Sequence, residues 1–350
     1  MIQFGLDTFG DVTVDESGAP LSDAQTLRNL VEQAVLADEL GISFIGVGEH
    51  HRPDFAVSSP EIVLAAIAGR TRDIHLGTAV TVLSSDDPVR VYERFATLDA
   101  ISNGRAEVVL GRGSFIESFP LFGYDLKDYE ALFELFSLLR QERPVTWSGT
   151  TRAALTNADV YPKTEGSVLT TWVGVGGSPE SVVRTARYGF GLMLAIIGGP
   201  AERFAPYVEL FHRSLASFGH DRRPVGVHSP GHIADTDEQA WEQAYPAFEA
   251  MNNRIGAERG WPPYSRMRFQ HDVGAGGAVY SGSPDRVARK IADTVLALGI
   301  DRFDLKYSNG TLGHDKLMRS IELYGTKVIP MAREMIAEGA ETQRDEATVG

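Results

Sequence analysis

The segment LDAISNGRAEVVLGRG, residues 98–113, indicates the fold because it joins a helix to a buried strand. Helical periodicity over residues 87–104 ends at Asn103-Gly104, a pair typical of a helix C-terminus. The largely apolar run AEVVL follows at once, and Gly111-Arg112-Gly113 ends it. Apolar residues on both faces are typical of a strand in a parallel sheet that helices cover. The segment therefore predicts one helix–strand unit of an α/β protein.

The same alternation of strand and helix recurs along the chain. Strands are predicted at 2–9, 43–50, 74–83, 105–113, 168–177, 191–197, 224–235 and 302–310. About eight such units favour an α/β TIM (β/α)8 barrel with insertions over a doubly wound sheet.

Three further segments are assigned around this barrel. VTWSG and DVYP are expected to form a hairpin insertion, and the Gly- and Pro-rich residues 258–283 a long loop. We expect residues 1–340 to form a single domain and residues 341–350 a polar C-terminal tail.

Composition excludes several classes of function. The formal net charge of −14 disfavours binding to nucleic acid or to an anionic membrane. The absence of cysteine excludes disulfides, thiolate catalysis and cysteine-ligated metals. No signal-peptide pattern opens the chain and no apolar run is long enough to span a bilayer, so we expect a cytoplasmic protein.

Four sequence motifs end predicted strands, where a barrel of this kind places its active site. They are GEHH (48–51), GTAVTVLSSDDP (77–88), LGRGS (110–114) and GVGGSPES (174–181). In the second, Ala79 and Val80 would form a flat wall for a planar ring, although a plain core strand is the alternative.

Two of these motifs indicate an anion site. Gly176 and Gly177 let the backbone approach a ligand, and Ser178 with Pro179 opens a helix whose N-terminus favours negative charge. Arg112, with Ser114 in the same turn, is placed to bind a phosphate. The alternatives are an ordinary capped helix and a surface salt bridge.

The GEHH motif raises the question of a metal site. Adjacent strand residues face opposite sides, so an inward His50 would leave His51 pointing outward or starting the loop. A metal would then need distant ligands such as His228, His232 or His271. We favour His50 as a catalytic or cofactor-contacting residue at the barrel mouth; a purely structural pair of histidines is the other alternative.

These motifs, in this order and spacing, resemble the bacterial luciferase-like monooxygenase family of flavin-dependent oxidoreductases over about residues 2–335. Residues 76–113 carry the most specific similarity, since LDAISNGRAEVVLGRG matches the family's LD-x-S-x-GR passage. The segment SPDRVARKI with the following LGIDRF is similar to the family's closing helix and strand.

The resemblance implies a cofactor and its contacts. Family members bind FMN or a deazaflavin at the barrel mouth and commonly form homodimers through early helices. Their active-site histidine falls on His50, their non-proline cis peptide on Ala79–Val80, and their phosphate arginine on Arg112. Their phosphate-binding backbone falls on Gly177 and Ser178, with Ser181 one turn further on.

Two positions depart from the bacterial luciferases. Gly111 stands where those enzymes have a reactive cysteine, and Gly177 where they have an acidic residue. These departures favour an oxidoreductase of another substrate over a light-emitting enzyme.

The working hypothesis is an FMN-dependent monooxygenase that uses reduced FMN, O2 and a small organic substrate, with a separate reductase as a candidate partner. His50 would stabilise or protonate the reacting oxygen, Glu49 would orient its neighbours, and residues 258–283 would form a mobile lid or a surface loop. Few cations near the strand ends favour FMN over the deazaflavin, whose tail is longer and acidic. One rival class is a metal-dependent barrel hydrolase that uses His50, His51 and a distant carboxylate. The other is a non-catalytic flavin-binding protein.

Overall fold

The computed structural model describes residues 2–113, 115–125, 127, 129–166 and 168–349. The strands are β1 (Gln3–Thr8), β2 (Phe44–Val47), β3 (His75–Thr78), β4 (Thr81–Val82), β5 (Glu107–Gly111), β6 (Val145–Trp147), β7 (Leu155–Ala158), β8 (Thr170–Val175), β9 (Gly191–Ala195), β10 (Val225–Ile233), β11 (Tyr280–Gly282) and β12 (Arg302–Lys306). The helices are α1 (Asp23–Glu39), α2 (Pro60–Ala68), α3 (Pro88–Ser102), α4 (Ser118–Phe122), α5 (Tyr129–Leu139), α6 (Pro179–Arg187), α7 (Ala205–Ser217), α8 (Asp237–Arg259), α9 (Arg266–Val273), α10 (Pro284–Leu298), α11 (His314–Leu323) and α12 (Ile329–Val349).

The parallel strands form a barrel, which confirms the predicted fold class. Their order is β3-β2-β1-β12-β10-β9-β8-β5-β4. Strands β3 and β4 are successive halves of one interrupted strand: β4 pairs with β5, and a parallel bridge between Leu76 and Ala106 joins β3 to the start of β5. This contact closes the ring, so eight strand positions surround the interior.

Local sequence explains where the helices of the outer ring begin. Ser22, Asp87, Ser178 and Thr236 each accept a hydrogen bond from a backbone N–H of the first turn of α1, α3, α6 and α8. Such caps satisfy backbone donors that have no partner within the helix. Helix α3 ends at Asn103, which adopts the left-handed conformation as expected for this position.

A network of charges lies inside the barrel. The Arg302 side chain is fully buried and donates through Nε and Nη2 to Asp304 and through Nη1 to Glu107, at 2.7–2.9 Å. Trp172 Nε1 donates to the same Glu107 carboxylate at 3.0 Å. Buried charges are tolerated when they are paired and hydrogen-bonded, as these are.

The antiparallel pair β6 and β7 confirms a hairpin insertion that begins at VTWSG, but its second strand lies at Leu155–Ala158, directly before DVYP. The prediction of a long loop over residues 258–283 was wrong, because this stretch contains α9 and β11. Ser265 caps α9, and Phe269 and Val273 bury against Phe248 of α8. Strand β11 pairs in parallel with β10. The high Gly and Pro content of the stretch predicted a loop. The short helix α9 forms because its apolar face is buried against α8, a contact that the local sequence does not show.

The last helix, α12, continues through the predicted polar tail as far as Val349. None of the described helices combines the length and apolar character needed to cross a membrane. The division into one domain and a tail stays a prediction, as does the location of the protein in the cell.

Candidate active site

A cavity of about 680 Å³ lies at the carboxyl ends of the barrel strands. It brings together residues that are far apart in sequence. The sequence-predicted residues that line it are His50, Ala79, Val80, Arg112, Gly176, Gly177, Ser178 and Ser181. Ser114 lies outside the described residues. The contacts of these residues with a cofactor stay predictions.

One end of the cavity suits an anion. Ser178 caps α6 by accepting a hydrogen bond from the Ser181 N–H at 3.3 Å. Because Ser178 and Ser181 both line the cavity, the positive end of the helix faces it. Gly177 has φ +117°, in a region that favours glycine. Arg112 is exposed, and within the described part of the chain no carboxylate lies within ion-pair distance of it. Its guanidinium is therefore available to a phosphate.

The wall next to this anion site contains the peptide bond Ala79–Val80, which is cis as the resemblance implied. Val80 packs against a small apolar cluster of Val109, Trp172 and Met193. A Cβ placed on Gly111 would overlap the Val80 Cγ2 methyl group, at a separation that real Cβ contacts essentially never show. The absence of the luciferase cysteine at this position thus has a steric reason, since Val80 fills the space.

His50 lies among aromatic rings. Its ring centroid is 4.7 Å from Phe9, 4.3 Å from Phe55 and 5.5 Å from Phe115. Nδ1 is buried and has no hydrogen-bond partner among the described residues. Burial lowers the pKa of His50 from 6.5 to about 3, against the opposing effect of the Asp11 charge. The imidazole is therefore neutral at pH 7.

Glu49 holds the loop that carries both histidines. One carboxylate oxygen is 3.0 Å from His51 Nε2, and the other accepts a hydrogen bond from the Val82 N–H at 3.0 Å. These contacts support the predicted orienting role of Glu49. Strand β2 ends at Val47, so both histidines belong to the loop and the strand pleat does not separate them. His51 also lines the cavity, a position that the pleat argument did not predict.

The other histidines do not assemble a metal site with His50. His232 is buried and its Nε2 is 2.8 Å from Gln243, whereas His271 is exposed next to Asp272. The described residues contain no group of three or more His, Asp or Glu side chains arranged to hold a metal ion. The metal-dependent hydrolase therefore lacks a ligand set in this part of the chain.

Sequence patterns missed several residues of the cavity. Asp7 is the penultimate residue of β1 and pairs with His228 of β10, with Oδ2 and Nδ1 2.5 Å apart. Phe9, Phe115 and Met193 supply apolar surface. The position of Asp7 near the carboxyl end of a predicted strand was the signal that would have identified it.

The sequence matches the family model described as luciferase-like monooxygenase over residues 8–302. Among solved structures, monooxygenase RslO1 from Streptomyces bottropensis is similar, with a TM-score of 0.82 and 24% identity over 94% of this chain and 99% of that one.

Two further structures share the fold and bind different cofactors according to their descriptions. The oxygenating constituent of 3,6-diketocamphane monooxygenase from Pseudomonas putida, in complex with FMN, has a TM-score of 0.76 and 18% identity over 94% of this chain and 98% of that one. The coenzyme F420 dependent tetrahydromethanopterin reductase from Methanopyrus kandleri has a TM-score of 0.70 and 19% identity, covering 94% and 99%.

Proposed function

The chain belongs to the luciferase-like monooxygenase family, and we propose that it oxygenates a small organic substrate with reduced FMN and O2. One observation supports this proposal above the others. Arg112, without a carboxylate partner among the described residues, shares a cavity with the capped N-terminus of α6. A cation and a helix N-terminus together suit the terminal phosphate of FMN.

The charge of the cavity favours FMN over a deazaflavin. Arg112 is the one Lys or Arg among the described residues that line it. A single arginine with a helix N-terminus matches one phosphate, whereas the longer acidic tail of a deazaflavin would require further cations along its path.

We assign the contacts with FMN from the cavity lining. Arg112, Gly176, Gly177, Ser178 and Ser181 would hold the phosphate end. Ala79 and Val80, backed by Met193 and Trp172, would support the ring. Reduced FMN supplies the electrons for activation of O2, and the protein supplies position and electrostatics.

His50 would act as a neutral hydrogen-bond donor. The buried Nδ1 of His50 has no hydrogen-bond partner among the described residues, so a hydrogen on Nδ1 would be a buried donor without an acceptor. The tautomer with the hydrogen on Nε2 avoids this cost and presents its N–H to the cavity. A neutral imidazole with a lowered pKa stabilises developing negative charge on oxygen by donating this hydrogen bond. Of the two predicted roles, stabilisation of the reacting oxygen is therefore favoured over proton donation.

The proposal includes two partners, a flavin reductase and a second copy of the chain. A separate flavin reductase would supply reduced FMN. A homodimer through the early helices is consistent with Ile62 of α2 and Ile101 of α3, which are 72% and 54% exposed. Light scattering of the purified protein would measure the oligomeric state.

Titration of the purified protein with oxidised FMN tests the proposal, with coenzyme F420 in parallel. Binding of FMN at tens of micromolar or tighter is expected, detected by its absorbance and fluorescence. No response to FMN would reject the proposed function, and tight binding of F420 alone would identify F420 as the cofactor in place of FMN. FMN binding without oxygen-dependent product formation from any substrate would instead favour a non-catalytic flavin-binding protein.

A further inference from the structure

A third histidine, His228, lines the cavity beside His50 and His51, and unlike His50 it has a carboxylate partner. His228 Nδ1 lies 2.5 Å from Asp7 Oδ2. The Asp7 side chain is 1% exposed and the His228 side chain 11%, and both line the cavity. An ionised carboxylate only accepts hydrogen bonds, so this contact places the ring hydrogen on Nδ1. In the neutral imidazole, Nε2 of His228 is then the acceptor.

His50 and His228 both contact Phe9. The His228 ring stacks on Phe9 at 5.9 Å with an interplanar angle of 12°, and the His50 ring lies 4.7 Å from Phe9. His50 offers a hydrogen-bond donor and His228 an acceptor, because their Nδ1 atoms differ in partner. The cavity therefore presents complementary polar groups beside an aromatic surface.

The remaining lining selects against an anionic substrate. Besides Arg112, which the proposed FMN phosphate would occupy, the charged groups of the described lining are the carboxylates Asp7, Glu49, Glu117 and Asp304. Arg52 already pairs with Glu117 and Arg302 with Asp304, so the described lining offers a substrate carboxylate or sulfonate no further unpaired cation, and the anion would lose its hydration without a counter-charge. Apolar contacts outside the wall assigned to the FMN ring come from Phe9, Phe115 and Ile197. A neutral, flat, apolar molecule fits these surroundings.

We propose that the substrate is a neutral aromatic compound bearing a hydroxyl group, and that His228 accepts the hydroxyl proton. The O–H bond breaks, the proton moves to His228 Nε2, and the electron pair stays on the phenolate oxygen. No oxidation accompanies this step. The resulting imidazolium is stabilised by the Asp7 carboxylate. The deprotonated ring is richer in electrons and easier to oxygenate.

His228 is thereby a further catalytic residue, and Asp7 is a positioning residue that acts through it. The assignment of a substrate to His228 rests on the proposed function, because that function places FMN in the rest of the cavity. The hydrogen bond between Asp7 and His228 is present whether or not FMN binds.

Binding of three probes to the protein, with and without FMN, tests the substrate class. The probes are 2-naphthol, 2-methoxynaphthalene, which lacks the proton, and 2-naphthoate, which is an anion. We expect 2-naphthol to bind at least about tenfold more tightly than either, the effect of one hydrogen bond. Equal binding of 2-naphthol and 2-methoxynaphthalene, preference for 2-naphthoate, or no binding of any probe would overturn the proposal.

Variants separate the roles of the two residues. His228→Leu, which removes the acceptor, should weaken 2-naphthol about tenfold and leave 2-methoxynaphthalene unchanged, since only one hydrogen bond is lost. His271→Leu, at an exposed site outside the cavity, should bind both probes like the wild type. Equal weakening of both probes by His228→Leu would indicate a packing role and reject the proposal.

A spectroscopic measurement tests Asp7 independently of FMN. In ¹⁵N spectra of the flavin-free protein, assigned by comparison with His228→Leu, His228 should carry hydrogen on Nδ1 and a bare Nε2. Asp7→Asn should lose this tautomer preference and weaken 2-naphthol, with 2-methoxynaphthalene unaffected. A wild-type His228 with hydrogen on Nε2 would overturn the inference even where FMN binds. Failure of FMN binding alone would reject the proposed function and leave the result for His228 interpretable.

Discussion

Glu49 accepts a hydrogen bond from the backbone N–H of Val82, 3.0 Å away, and so joins the loop after β2 to strand β4. The other Glu49 oxygen contacts His51 at 3.0 Å. One carboxylate thus fixes the loop that carries His50 against the strand that follows Val80. The position of the neutral imidazole relative to the flat wall depends on this link.

Replacement of Glu49 tests the link between loop and strand. Glu49→Ala should lower the free energy of unfolding by about 1–3 kcal/mol, because the Val82 N–H loses its acceptor in a partly buried place. Glu49→Gln keeps an oxygen acceptor and should lose less than half as much. Urea unfolding measures both. Equal losses would show that the charge of Glu49, and not this hydrogen bond, stabilises the loop.

Arg112 provides a test of the phosphate site. Arg112→Ala should weaken FMN about ten- to a hundredfold, because a charge-assisted hydrogen bond contributes about 1.5–3 kcal/mol. Riboflavin, which has no phosphate, should bind the variant and the wild type equally. Arg112→Lys keeps the charge and should recover part of the FMN affinity. Parallel fluorescence titrations measure these values, and equal losses for FMN and riboflavin would contradict the phosphate role.

His50 should affect turnover and not flavin binding. His50→Ala is expected to bind FMN like the wild type and to lower kcat about a hundredfold or more, the usual effect of removing one hydrogen-bond donor from a developing oxyanion. The measurement is the rate of product formation from a substrate that the wild type accepts. Unchanged turnover would remove His50 from the mechanism.

The acid stability of the protein should also depend on His50. Burial lowers its pKa in the folded state to about 3, while an unfolded histidine titrates near 6.5. Between these values the unfolded chain binds the extra proton, so stability falls as the pH falls, by up to about 1.4 kcal/mol per pH unit. Above about pH 7, His50 is neutral in both the folded and the unfolded state and does not make the free energy of unfolding depend on pH.

His50→Gln should therefore lose less stability than the wild type between pH 6 and pH 4.5. Urea unfolding at several pH values compares the two slopes, and data at pH 7–8 provide the control because the slopes should then coincide. Parallel curves down to pH 4.5 would mean that His50 is protonated in the folded protein.

The contact between Gly111 and Val80 gives a double-mutant test. Gly111→Ala would place a Cβ against the Val80 side chain and should cost about 1–3 kcal/mol of stability through overpacking, together with FMN affinity. Val80→Ala removes the obstructing methyl groups, so the double variant should recover most of the loss at position 111. Thermal unfolding and FMN titration measure the coupling. Additive effects would show that the two residues do not compete for space.

Much of the barrel followed from the sequence because its signals are local. Alternating strands and helices, the N-cap Ser178, and the helix stop at Asn103 depend on neighbours within a few residues. The C-terminal ends of parallel strands meet on one face, so His50, Arg112 and Ser178 were predicted to share a cavity, and they do.

Tertiary structure decided what no local pattern contains. The hydrogen bond between Asp7 and His228 joins residues 221 positions apart, and helix α9 owes its stability to burial against α8. His50 is an ordinary histidine in the sequence, and its neutral state arises from the burial that accompanies its contacts with Phe9, Phe55 and Phe115. Residue types and their spacing determined the barrel and the position of the site. Desolvation and long-range contacts, which exist only in the folded chain, decided the chemistry that each side chain offers there.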